Sequence, residues 1–144
     1  MPVTKLKAAA ERATFRRFRD GDGKVLLDLP RAPLPEGDAP APVRFLPTWD
    51  ATLLVHARRT LILAEEYRPL IFHTKAPFSF HTFLVDGAVA GTWRWERTQK
   101  KAALVVEPYD RLPRGSGGEL RDEAARLVRF VEPGAASYAV RLQP

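Results

Sequence analysis

The chain has 144 residues and a mass of 16.2 kDa, enough for one domain with a real core, and its 45% hydrophobic and 28% charged residues are ordinary for a soluble globular protein. Cysteine is absent, which excludes disulfides, iron–sulfur clusters, cysteine zinc sites and thiol nucleophiles. The formal net charge is +6, no apolar run approaches the roughly 20 residues that span a bilayer, and the N-terminus lacks the apolar stretch of a secretory signal, so a cytoplasmic protein with no membrane partner is expected.

Residues 4–13 carry strong helix formers, with Leu6, Ala9, Ala10 and Ala13 on one face. Such a helix is too short to be stable alone. Residues 14–29 read as a β-hairpin across Asp20-Gly21-Asp22-Gly23. Residues 1–19 hold six basic groups (Lys5, Lys7, Arg12, Arg16, Arg17, Arg19) against one acid, so most of the net charge lies there. Residues 30–42 hold five of the 13 prolines, and Pro47 follows just beyond. Proline cannot donate to a ladder, so this is a linker or an extended strap laid over a surface, and the strap is favoured because Leu34 needs cover.

From residue 43 the chain turns apolar. Leu53, Leu54, Val55, Leu61, Ile62 and Leu63 are core candidates, and Glu65–Phe72 reads as one helical turn stopped by Pro69. Residues 78–107 read as an antiparallel meander with a hairpin at Asp86-Gly87. Gly91 suggests a bulge or a sharp bend of the kind barrels need. Ser116 and Glu119 fit a capping box ahead of a helix running to about Val131. Its apolar stripe is Leu120, Ala124, Leu127, Val128 and Val131, and Asp122 and Arg126 are spaced to pair outside it. Pro133-Gly134 stops the helix, and residues 138–143 alternate as a closing strand. The fold class expected is α+β, mainly antiparallel β, with a barrel-like β-domain and one C-terminal amphipathic helix.

The chemistry is sparse. His56, His73 and His81 show no metal-ligand spacing, and Ser79, Ser116 and Ser137 lie outside any nucleophile elbow. Glu65 and Glu66 diverge on a helix, and Asp50 reads as a turn aspartate or helix cap. No catalytic residue, metal ligand or cofactor is expected. The FRRFR run interleaves arginine with aromatics, as in a nucleic-acid-binding strand, or equally as in a half-buried hairpin with a solvated face. Trp93-Arg94-Trp95 reads as core rather than as a stacking platform. An interior cavity beside Trp93 or Trp95 would instead make a small-molecule barrel.

Several longer words then point one way. The run FRRFRDGDGKVLLDLP, a proline strap and PVRFLPTWDATLLVHARR are followed by LVDGAVAGTWRWER and AALVVEP. In that order they resemble the C-terminal part of the AlkZ-like winged helix DNA-binding domain family, over essentially the whole chain. The resemblance implies that residues 1–29 are the end of a winged-helix unit, 30–42 the strap and 43–144 a C-terminal β-barrel-like domain. Family members are longer, and the characterised ones are DNA glycosylases acting on alkylated bases and crosslinks. Their Gln-x-Gln or Gln-x-Asp catalytic pair lies upstream, and neither Gln99 nor Gln143 fits it. The expected function is a non-catalytic DNA-binding and scaffolding module. Arg16, Arg17, Arg19, Lys5, Lys7, Arg58, Arg59 and Arg94 are its candidate contacts. Duplex DNA is the expected partner, bound weakly and without sequence preference, together with an N-terminal winged-helix portion or separate chain. The alternative is a structural or protein-interaction β-domain with no nucleic-acid role.

Overall fold

The structure is a computed structural model that describes residues 3–54, 59–73 and 78–143. The chain forms two compact units, residues 1–39 and 40–144.

The first unit is a helix and a hairpin. Helix α1 (Val3–Arg12) precedes antiparallel strands β1 (Arg16–Arg19) and β2 (Val25–Asp28), paired from Arg16 opposite Asp28 to Arg19 opposite Val25. Asp20 shapes the turn: its Oδ1 accepts the N–H groups of Asp22 at 3.1 Å and Lys24 at 2.8 Å. Much of its apolar surface is in water. Leu6, Val25, Leu26, Leu27 and Leu29 are exposed. Leu34 is 55% exposed, so the cover expected for it is missing. A lone two-stranded hairpin buries too little to hold itself.

The second unit is built on one mixed sheet. Its elements are β3 (Arg44–Leu46), α2 (Ala51–Leu54), α3 (Arg68–Ile71), β4 (Phe72–His73), β5 (Phe78–Ser79), β6 (Thr82–Val85), β7 (Ala88–Arg97), β8 (Lys101–Pro108), α4 (Ser116–Val131) and β9 (Ser137–Leu142). The five-stranded order is β3-β6-β7-β8-β9, and β4 and β5 form a separate pair. The expected β6–β7 hairpin is present. Asp86 (φ 51°) and Gly87 (φ 77°) both sit in the left-handed region that a tight hairpin turn requires. Opposite Phe83 and Leu84 stand Gly91 and Val89, which leaves Ala90 as the extra residue of a bulge.

The sheet does not close into a barrel, which corrects the barrel expectation. β3 and β9 are its two edges. Strand β9 is parallel to β8, and a parallel return needs a crossover, supplied here by α4. The helix covers the face that a barrel would have turned inward. Leu120, Ala124 and Val128 of α4 pack with Val43, Phe83, Trp93, Leu104 and Val106 in the main core. On the opposite face Leu53, Leu63, Ile71 and Val89 make a smaller core with Leu46, Leu84 and Tyr109. Pro69 lies at the start of α3 rather than stopping a helix, where its missing N–H costs nothing.

The start of α4 also departs from expectation. Gly115 is the N-cap, in left-handed conformation, and Ser116 Oγ donates to the Pro113 carbonyl at 2.8 Å. Glu119 does not reach back to close a capping box; its Oε1 accepts the N–H of buried Val43 at 2.8 Å. A side chain on the helix thereby satisfies the first residue of the sheet region. Arg126 pairs with Glu123 rather than Asp122. Glu119→Ala leaves the Val43 N–H without its acceptor, at about 1–3 kcal/mol. Glu119→Gln keeps an acceptor oxygen, so urea unfolding should show a much smaller loss for it.

Candidate nucleic-acid interface

A surface that grips DNA needs cations whose donors are not already spent. Lys5 and Lys7 are exposed on α1. Arg17 and Arg19 share one face of β1 by strand alternation, and both are exposed. Arg19 gives one donor to the Gly23 carbonyl at 2.9 Å, and Arg17 has no ion-pair partner among the described residues. Arg16 faces the other way. It pairs with Asp28 at 3.3 Å, donates to the Ala32 carbonyl at 2.5 Å and lies 5.2 Å from the Phe18 ring centre. Its work is to tie the hairpin to the segment that follows.

In the second unit the candidates differ just as clearly. Arg94 is held by Glu107, by Glu96 at 3.4 Å and by Gln143 at 3.1 Å. The Glu107 hydrogen bond holds its proton more firmly than usual, and burial opposes it. Arg141 pairs with the same Glu96. Val105, opposite Arg94 in one register and Arg141 in the other, is fully buried. Arg59 is half-buried beside the smaller core. Arg58 and His56 lie outside the described residues.

The aromatic residues split between core and surface. Trp93, 7% exposed, sits edge-on to Phe45 at 5.7 Å, and its indole N–H donates to the Leu46 carbonyl at 3.0 Å. Trp95 is 41% exposed at the end of the same row. His81 lies between them, 4.5 Å from Trp93 and 5.4 Å from Trp95. Burial lowers its pKa, so the neutral ring is favoured. Asp50 is a helix cap: its Oδ1 accepts the Thr52 N–H at 2.8 Å ahead of α2. Trp49, next to it, takes φ 60° and donates its N–H to buried Ser79 Oγ at 2.8 Å. That bond helps hold a conformation that is costly for a bulky residue.

Two tyrosines 42 positions apart share no local sequence signal. The Tyr67 and Tyr109 rings lie 4.7 Å apart, tilted by 40°. The hydrogen bond to Asp110 pushes the Tyr67 phenol up to about 12, and burial does the same for Tyr109. Both stay neutral through the physiological range. No helix among the described residues is long and apolar enough to cross a membrane.

The arrangement is that of a basic, hairpin-bearing α+β chain with its free cations on exposed elements. Residues 1–130 match the family described as DNA glycosylase AlkZ-like, and the chain belongs to that family. Among solved structures it is similar to the Streptomyces sahachiroi DNA glycosylase AlkZ, with a TM-score of 0.69 and 24% identity. That likeness shows a shared fold. It covers 99% of this chain and 38% of the other, so the chain spans well under half the length of that relative. No curated protein sequence matches.

Proposed function

We propose that this chain is a DNA-contacting and scaffolding part of an AlkZ-like glycosylase, working in DNA repair with no bond-breaking chemistry of its own. The observation that carries the reading is the coincidence of family and charge. The family match begins in the segment that holds six basic groups against one acid, on elements that expose Arg17 and Arg19. In this reading α1 and the β1–β2 hairpin are the last helix and wing of a winged-helix unit. The proline-rich residues 30–42 lead into the β-domain, and the protein works in the cytoplasm. The catalytic glutamine pair that the family resemblance implies has no counterpart at Gln99 or Gln143.

Arg17 and Arg19 would touch phosphate, which gives affinity without sequence preference. Binding to duplex DNA should be detectable at low salt and fall steeply as salt rises. Replacing both by alanine should flatten the log–log salt slope by about 2, roughly one phosphate contact each. Fluorescence anisotropy with a labelled duplex measures this. Undetectable binding at low salt, or an unchanged slope in the double variant, would sink the proposal.

A second reading, a docking module without DNA contact, is favoured by one observation. Leu6, Leu27, Leu29 and Leu34 are all exposed on the small first unit. Further polypeptide of the winged-helix kind would cover them. Tight capture of such a partner, with no duplex binding by the chain alone or in complex, would support that reading over the first.

A further inference from the structure

We infer that Arg59 and Arg68, set around Phe72, form a second DNA-contacting site in the 40–144 unit, one that takes a backbone phosphate together with the sugar or base edge beside it. This rests on the DNA-contacting reading and adds a site to it. A hollow of about 480 Å³ is lined, among the described residues, by Leu54, Arg59, Arg68, Pro69 and Phe72.

Arg59 is preorganised. Its carbonyl accepts the N–H groups of Ile62 at 2.8 Å and Leu63 at 2.6 Å, and Leu63 is buried in the smaller core. One guanidinium nitrogen donates to the Leu53 carbonyl, and the group lies 5.5 Å from the Phe72 ring centre. A guanidinium has five donor hydrogens in a rigid fork. One is used to aim the group, and the others have no hydrogen-bond partner among the described residues. The entropy of ordering the side chain is already spent.

Arg68 supplies the second charge. Its pairing with Glu65 is long, at 3.7 Å, and both side chains are more than half exposed. Such a pair is worth little and yields readily to a phosphate. Arg94 is the contrast, since two carboxylates and Gln143 occupy its donors.

The rest of the lining selects the ligand class. Leu54 and Pro69 leave apolar surface in water beside the two cations, and the Phe72 ring is half-buried. A bare anion would gain nothing from that surface. A phosphodiester with its flanking sugar or base edge uses both parts, charge on the arginines and apolar contact on the lining. DNA is the polymer of that chemistry to which the family points.

The test uses the full chain and a short fluorescein-labelled duplex in a salt series. Arg59→Ala and Arg68→Ala should each weaken low-salt binding about 3- to 10-fold and flatten the salt slope by about one unit. Arg59→Lys should fall between wild type and alanine, because it keeps the charge and loses the fork. Phe72→Leu should weaken binding with the slope unchanged. If Arg59→Ala fails to fold, as thermal melting would reveal, the surface variant Arg68→Ala decides. Wild-type binding with wild-type affinity and slope in the arginine variants overturns this site and leaves the hairpin reading standing. No binding by the wild type at low salt overturns the functional reading, and this site with it. Displacement of the duplex by inorganic phosphate at matched ionic strength would assign the hollow to a free anion and also overturn the site.

Discussion

Replacing Gly91 by alanine should lower the melting temperature by about 10 °C or more, the largest effect expected of any single methyl added to this chain. An added Cβ would stand 2.2 Å from the Glu107 carbonyl oxygen, 2.6 Å from Phe83 Cε1 and 2.8 Å from Pro108 Cα. Two of these neighbours are backbone of β8, and the third belongs to a fully buried ring. None can move away cheaply in a packed interior. The clash would push β7 off β8 beside the bulge, so a loss of about 3 kcal/mol or more is expected. Scanning calorimetry checks it. A variant melting within two or three degrees of wild type, on the order of 1 kcal/mol or less, would show that the two strands do not approach as described.

Trp93 should rank next. Its truncation to alanine should cost about 3–5 kcal/mol, the usual range for a large buried aromatic. The residue fills the core between Phe45 and His81, and its indole N–H is the partner of the Leu46 carbonyl on the short edge strand β3. Trp93→Phe separates the two roles. It keeps most of the ring packing and leaves that carbonyl short of a donor, so about 1–2 kcal/mol should be lost. Urea unfolding of the two variants, read by circular dichroism, measures the difference. Equal losses would mean that the hydrogen bond, and not the ring, holds β3 in place.

What could be read from the sequence was local. Asp20-Gly21-Asp22-Gly23 and Asp86-Gly87 announce their hairpins because the left-handed backbone the turns use falls on turn residues themselves, on Gly23 in the first and on Asp86 and Gly87 in the second. The apolar stripe of α4 is legible for the same reason, since periodicity needs no knowledge of the partner. Features settled by distant residues were not legible. Glu119 had the spacing of a capping box, yet a donor 76 residues away claims it. The alternation of residues 138–143 announces a strand and says nothing of its direction. The parallel pairing with β8, and with it the open sheet, follows from the crossover through α4.

The candidate site divides along the same line. The FRRFR run advertised cations, but only the structure separates exposed Arg17 and Arg19 from Arg16, which is spent on Asp28 and Ala32. Arg94 looked equivalent to Arg59 as a charge, and its carboxylate neighbours on β7 and β8 make it different. Arg68 drew no notice in the sequence because its segment announces only a turn. Its relation to Arg59 arises from the fold around Phe72.

The bond between Glu119 and Val43 also has a consequence in time. During synthesis the β3 segment leaves the ribosome long before the carboxylate that completes its hydrogen bonding, 76 residues later. At roughly 5–20 residues per second that delay is about 4–15 s. Through that interval the Val43 N–H has no carboxylate to meet, and once β6 to β8 have followed, the face to be covered by α4 is bare. Nascent-chain stalling should therefore find the second unit protease-sensitive until α4 has emerged, and vulnerable to aggregation at that stage more than at any other.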